Sequence, residues 1–129
     1  ADFAEAYAES LHNTSGHIIA VADRDTIIAV SGGSKKELLD KPLSPEVEKI
    51  IENRELFVAQ SADNQKIPVV ADDKAGNKYT CQVISPIISE GDAIGAVIML
   101  STDPKAKMGD VETKLVQSAA GFLGRHMEQ

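Results

Sequence analysis

Residues 79–101 constrain the fold of this chain more than any other stretch. Two apolar runs, 79–88 and 93–101, flank a short polar break, Ser89-Glu90-Gly91-Asp92. They read as two strands joined by a turn. The second strand opens with Ile94-Gly95-Ala96 and stays apolar to Leu100. After a loop containing Pro104, an amphipathic helical pattern runs to the end of the chain. A strand pair closed by a helix points to a small α+β domain. No catalytic motif accompanies it, which moves the functional expectation from chemistry toward binding and assembly.

The remaining residues must cover that pair. A chain of 129 residues corresponds to a single domain, 1–129, able to bury roughly two thirds of its unfolded surface. Hydrophobic residues make up 43% and aromatics only 4%, with no Trp, so the core is to be built from Ile, Val, Leu and Ala. The net charge of -7 repels a nucleic-acid backbone, and the chain by itself is not expected to bind DNA. Cys81 is the only cysteine, which excludes an internal disulfide and fits a reducing, cytoplasmic setting. No apolar run approaches the ~20 residues of a membrane span, and no signal-peptide pattern is present. The chain opens on Ala1 with a helical pattern already under way. It is therefore expected to be a piece of a longer protein, the remainder lying on the N-terminal side.

Phe3, Tyr7 and Leu11 recur every four residues beside Ala4 and Ala8, predicting a helix over 2–11. Asp2 is its expected N-cap, and Gly16 its expected stop. Residues 17–22 and 26–30 form a predicted hairpin around Asp23-Arg24-Asp25. Ser34 is placed to cap a short helix over 35–39. Ser44 and Pro45 open another, running to Glu52 and burying Val47, Ile50 and Ile51. Residues 56–59 and 67–71 read as weak strands, Pro68 restricting the second to an edge. Residues 72–78 form a charged turn around Gly76-Asn77. Asp110 is the expected N-cap of the last helix. Consecutive strands joined by short turns give an antiparallel sheet.

Several segments together resemble a known family. They are Gly16-His17, Ala22-Asp23-Arg24-Asp25, Ile28-Ala29-Val30-Ser31-Gly32, Ser34-Lys35-Lys36, Gly91-Asp92, Ile94-Gly95-Ala96-Val97, Ala119-Ala120-Gly121-Phe122-Leu123 and Met127-Glu128-Gln129. The chain resembles a GAF domain, and within that class the family of C-terminal domains of stage V sporulation T regulators of bacilli. The resemblance implies a GAF-like antiparallel sheet flanked by helices, with the N- and C-terminal helices packed together on one face. It implies the regulatory part of a transcription regulator of late sporulation genes, working in the developing spore. DNA binding in that family resides in an N-terminal domain absent from this chain.

Candidate sites are few. Ser31, Gly32, Gly33, Ser34 and Lys35 form a glycine turn leading into a helix N-terminus, where free N–H groups and lysine charge suit an anion. A plain loop with an N-cap accounts for the same residues, and the P-loop spacing is not met. In GAF domains the ligand cavity lies between the sheet and the short helices, so the resemblance puts this loop near its mouth. Cys81 has no cationic neighbour in sequence and reads as a packed core thiol. His12, His17 and His126 are too scattered for a metal site. No metal and no cofactor are expected, apart from an unidentified small-molecule ligand. Three readings remain open: a regulatory domain that senses a small molecule or holds a regulator together, a pure dimerisation module with a filled cavity, and a small enzyme using that cavity. The enzyme lacks convergent polar groups in the sequence.

The terminal helices carry the assembly expectation. On a wheel of ~100° per residue, Val111, Leu115, Ala119 and Phe122 form one row and Val116, Ala120, Leu123 and Met127 the next. The combined apolar stripe spans about 180°, against the ~100° that one sheet contact requires. The second row steps by four, three and four, as in helix-on-helix packing. A homodimer is expected, built as a four-helix bundle through Phe3, Tyr7, Leu11, Val116, Ala120, Leu123 and Met127, with higher oligomers open to the longer protein.

Overall fold

The computed structural model describes residues 2–63, 65–73 and 78–127, apart from the side chain of Asp2. The elements are α1 (Asp2–Ser15), β1 (Ile18–Ala22), β2 (Ile27–Ser31), α2 (Lys35–Leu38), α3 (Pro45–Asn53), β3 (Phe57–Ala59), β4 (Cys81–Ser89), β5 (Asp92–Ser101) and α4 (Asp110–His126). Capping by the Asp2 side chain and the Gly76-Asn77 turn lie outside the described residues. The strands form one antiparallel sheet in the order β2-β1-β5-β4-β3. The fold is α+β.

β5 holds the centre, and every residue from Ala93 to Ser101 is buried. Its unbroken apolar run follows from that position, because both of its faces are covered. Val97 and Met99 join the core under α1 and α4, whereas Ala96, Ile98 and Leu100 join the core under α2 and α3. The link to β4 is a tight reversal with Glu90 and Gly91 both at positive φ, the geometry that matches strand twist.

On the first face, Ala4, Ala8 and Leu11 of α1 and Val116, Ala119, Ala120 and Leu123 of α4 pack on Ile19, Val21, Val83, Ile87, Val97 and Met99. Gly124 lets α4 lie directly on β4, since a side chain there would collide with the Ile88 carbonyl. The two helices also meet each other. The Tyr7 and Phe122 rings lie 4.8 Å apart, and Phe3 meets Phe122 edge-on at 6.2 Å. The helix pair therefore packs on one face of the sheet. Gly109, not Asp110, caps α4: its N–H donates to Glu112 Oε1 at 2.8 Å. Asp110 is the first helical residue, where its charge complements the helix dipole.

The second face is covered by short pieces tied through polar groups. Ser44 caps α3, its Oγ accepting from Val47 N at 3.1 Å and donating to Pro68 O at 2.6 Å. Residues 67–71 do not form the expected strand. Pro68 has no N–H to extend a ladder, and the segment makes only an isolated bridge, Leu43 to Val70. Gln82 holds it in place of a ladder: Ile67 N donates to Gln82 Oε1 at 3.0 Å, and Gln82 Nε2 donates to Ile67 O at 2.6 Å. In α3, Val47 and Ile51 are buried, while Ile50 is only half-buried at the helix flank.

Candidate functional site

The space between the sheet and α2 and α3, where a ligand was expected, is filled. Leu38, Leu43, Val47, Ile51 and Val69 pack there against Ala20, Ile27, Ile84, Ile98 and Leu100. What remains is a cleft of about 400 Å³ at its edge. Leu38, Val69, Val70 and Tyr79 form its buried apolar wall, and Ser34, Lys36, Glu37, Lys41, Asp72, Asp73 and Lys78 complete the lining.

Local structure places these groups. Ser34 Oγ accepts from Glu37 N at 3.3 Å and starts the single turn of α2. That turn aims Leu38 at the core and leaves Glu37 outside, paired with Lys78 just before β4. The bond to Glu37 raises the Lys78 ammonium above its ordinary 10.5. Lys78 Nζ also lies 5.5 Å from the centre of the Tyr79 ring. Burial raises the Tyr79 phenol above its ordinary 10.0, and the nearby Lys78 charge opposes that rise. Cationic and acidic groups thus alternate around an apolar wall, which suits a ligand carrying both polar and apolar parts.

The five loop residues singled out by sequence do not form one site. Ser34 lines the cleft. Ser31, Gly32 and Lys35 line a separate depression between α1 and β2, together with Glu5 and Glu9. Those carboxylates oppose an anion there. Gly32, at φ 81, has no room for a side chain because the His12 ring stands against it, while Gly33 faces Ile18. His12 Nδ1 donates to His17 O at 2.8 Å. Val69, Val70 and Tyr79 were missed as lining residues. For Val69 and Val70 the signal is the apolar pair following Pro68 inside an otherwise polar stretch.

The residues expected at a subunit seam fall into buried and exposed sets. Leu11, Val116, Ala120 and Leu123 are at most 4% exposed, closed by their own sheet, and have no surface left for a second chain. Of the first row of α4, Ala119 is buried against the sheet, and the other three residues keep exposed surface. Val111 is 67% exposed, and Leu115 and Phe122 are half-buried. Phe3 is 52% exposed, with its ring 5.3 Å from that of His126. Tyr7 and Met127 are half-buried beside them. Elsewhere, Cys81 is fully buried and its Sγ donates to Ala106 O at 3.1 Å. Among the described residues, no group of three or more His, Cys, Asp or Glu could hold a metal ion, and no helix is long and apolar enough to cross a membrane.

Comparison with known proteins places this architecture. Residues 1–128 match the family described as stage V sporulation protein T C-terminal, transcription factor. The chain belongs to that family. It is 43% identical over 128 residues to stage V sporulation protein T of Bacillus subtilis (strain 168), covering 99% of this chain and 68% of that protein. The GAF domain of an Acinetobacter phosphoenolpyruvate-protein phosphotransferase superposes with a TM-score of 0.76 at 9% identity, over 95% of this chain and 78% of that one. The type II free methionine-R-sulfoxide reductase of Thermoplasma acidophilum does so at 0.71 and 10% identity, over 93% and 86%. The fold is that of a GAF domain. One of these neighbours is an enzyme, so the fold alone does not separate sensing from catalysis. The family assigns this domain to a transcription factor of sporulation.

Proposed function

We propose that this domain serves its regulator as an assembly module, pairing with a second copy through the outer face of α1 and α4. The observation that carries this reading is the aromatic group at the end of the helix pair. Phe3 stays 52% exposed while its ring meets Phe122 and His126, and Val111 extends the apolar surface along α4 at 67% exposure. An apolar strip along two adjacent helices is the usual mark of helix-on-helix pairing. The domain performs no catalysis and takes no resident cofactor in this reading. Contact with DNA belongs to another part of the regulator, consistent with the net charge of -7, and the protein works in the cytoplasm of the developing spore.

Light scattering at high micromolar concentration tests the pairing. The unmodified chain is expected at twice its 13.8 kDa mass. The double variant Phe3→Ser, Val111→Ser is expected as a monomer with an unchanged circular dichroism spectrum. A monomeric unmodified chain overturns the proposal.

A second reading, sensing of a small molecule, is favoured by the apolar wall of Leu38, Val69, Val70 and Tyr79 beneath α2. It predicts that a bound metabolite protects 34–38 and 69–73 from hydrogen exchange. Protection confined to α1 and α4 would remove it.

A further inference from the structure

The turn end of the sheet holds another cleft, of about 400 Å³, lined by Arg24, Glu48, Ile51, Glu52, Arg54 and Ala93. That volume falls within the range of small-molecule sites, about 300–1,000 Å³. Three separate segments build it: the β1–β2 turn, α3 and the start of β5.

Its two guanidinium groups are anchored to backbone. Arg24 Nε donates to Ala93 O at 2.9 Å, and Arg54 Nη2 donates to Gly91 O at 2.8 Å. A guanidinium has about five N–H donors in a planar fork, so each anchoring bond orients the group and leaves the others for a ligand. Glu48 and Glu52 stand one turn apart on α3. Neither lies within ion-pair distance of Arg24 or Arg54, the Lys78–Glu37 pair being the one ion pair among the described residues. Ile51 and Ala93, 4% and 8% exposed, supply an apolar floor.

The cleft therefore offers oriented cations, carboxylates and a small greasy surface, without mutual neutralisation of the charges. A simple anion meets Glu48 and Glu52, and a simple cation meets the two arginines. A molecule carrying both charges a few bonds apart, with a hydrocarbon branch between them, complements all three features. We propose that this cleft binds a free aliphatic α-amino acid. Its carboxylate takes the paired N–H groups of Arg24 and Arg54, its ammonium is held by Glu48 and Glu52, and its side chain rests on Ile51 and Ala93. The site is independent of pairing through α1 and α4.

The test is an amide-shift titration of the 129-residue chain with L-leucine, N-acetyl-L-leucine and L-leucinamide. Leucine is expected to move the amides of 24, 48–54 and 91–93. Each blocked derivative, lacking one charge, is expected to bind at least about tenfold more weakly. Arg54→Gln and the pair Glu48→Gln, Glu52→Gln are each expected to weaken leucine by about tenfold or more, with unchanged urea melts for the carboxamide pair. The proposal is overturned by absence of shifts at about 10 mM leucine, by N-acetyl-L-leucine binding as tightly as leucine, or by shifts centred on Ser34 and Tyr79.

Discussion

The two faces of the sheet are covered in opposite ways. On one, α1 and α4, of 14 and 17 residues, lie side by side and bury small and aliphatic residues in a continuous layer. On the other, α2 and α3, of 4 and 9 residues, share the cover with a coil held by single polar side chains. A helix of one turn cannot sustain itself in water, because nucleation costs more than one turn returns. α2 exists because Ser34 caps it and Leu38 is 2% exposed beneath it. The contrast teaches where each property resides. The long-helix face is closed by a continuous apolar layer and leaves Phe3 and Val111 exposed for the proposed pairing, while the short-helix face is pinned at a few points and borders the two clefts lined by Leu38 and by Ile51. Local opening is expected to follow that division, since segments with few apolar contacts open first.

The strongest way to break this comparison is to place a charge in the helix layer. Leu123→Asp buries an unpaired carboxylate at a position with no exposure. It is expected to cost about 4 kcal/mol or more, against a total stability of about 5–15 kcal/mol for such domains. Val111→Asp on the same helix, 67% exposed, should stay within about 0.5 kcal/mol when both variants are compared at a concentration low enough to prevent pairing. Urea unfolding followed by circular dichroism measures both. A cooperative Leu123→Asp melt close to the parent's would mean that this row of α4 does not face the sheet.

A smaller effect probes the other face. Gln82→Leu removes both bonds to Ile67 and leaves that backbone pair without its partners. The expected loss is about 1–3 kcal/mol, concentrated in faster hydrogen exchange of 67–71 with little change in α1 and α4. Uniformly faster exchange across the chain would show that the two faces do not differ in local stability.

The smallest effect is alkaline. Lys78 and Tyr79 both hold their protons more tightly folded than unfolded, Lys78 through its bond to Glu37 and Tyr79 through burial. Their contribution is complete below the ordinary values of 10.5 and 10.0 and is lost as pH rises through the higher folded values. The Lys78–Glu37 pair is partly exposed, so its share is expected to be about 1 kcal/mol or less. Urea midpoints at pH 9 and 11 should fall less for Tyr79→Phe than for the parent, and equal falls would remove Tyr79 as a source.

Much of this molecule was readable from local signals. Strands and helices emerged from periodicity, and Ser34, Ser44 and Pro45 marked helix starts because capping is decided within three residues. The edge strand expected over 67–71 fails for a local reason too: Pro68 lacks the N–H that a ladder needs there. The family was carried by motifs spread along nearly the whole chain. Tertiary structure alone decided the rest. A helical wheel sets angles between residues but not which row turns toward the sheet, and both rows of α4 are apolar. Ala119, Ala120 and Gly124 mark the side of closest approach, a signal of size rather than hydrophobicity. In the same way, side chains from segments far apart in sequence, Leu38, Val69 and Tyr79 among them, fill the inner space, and a cleft lies at its edge. The glycine loop is split between two depressions, Ser34 lining one and Ser31, Gly32 and Lys35 the other, a division that no spacing along the chain encodes.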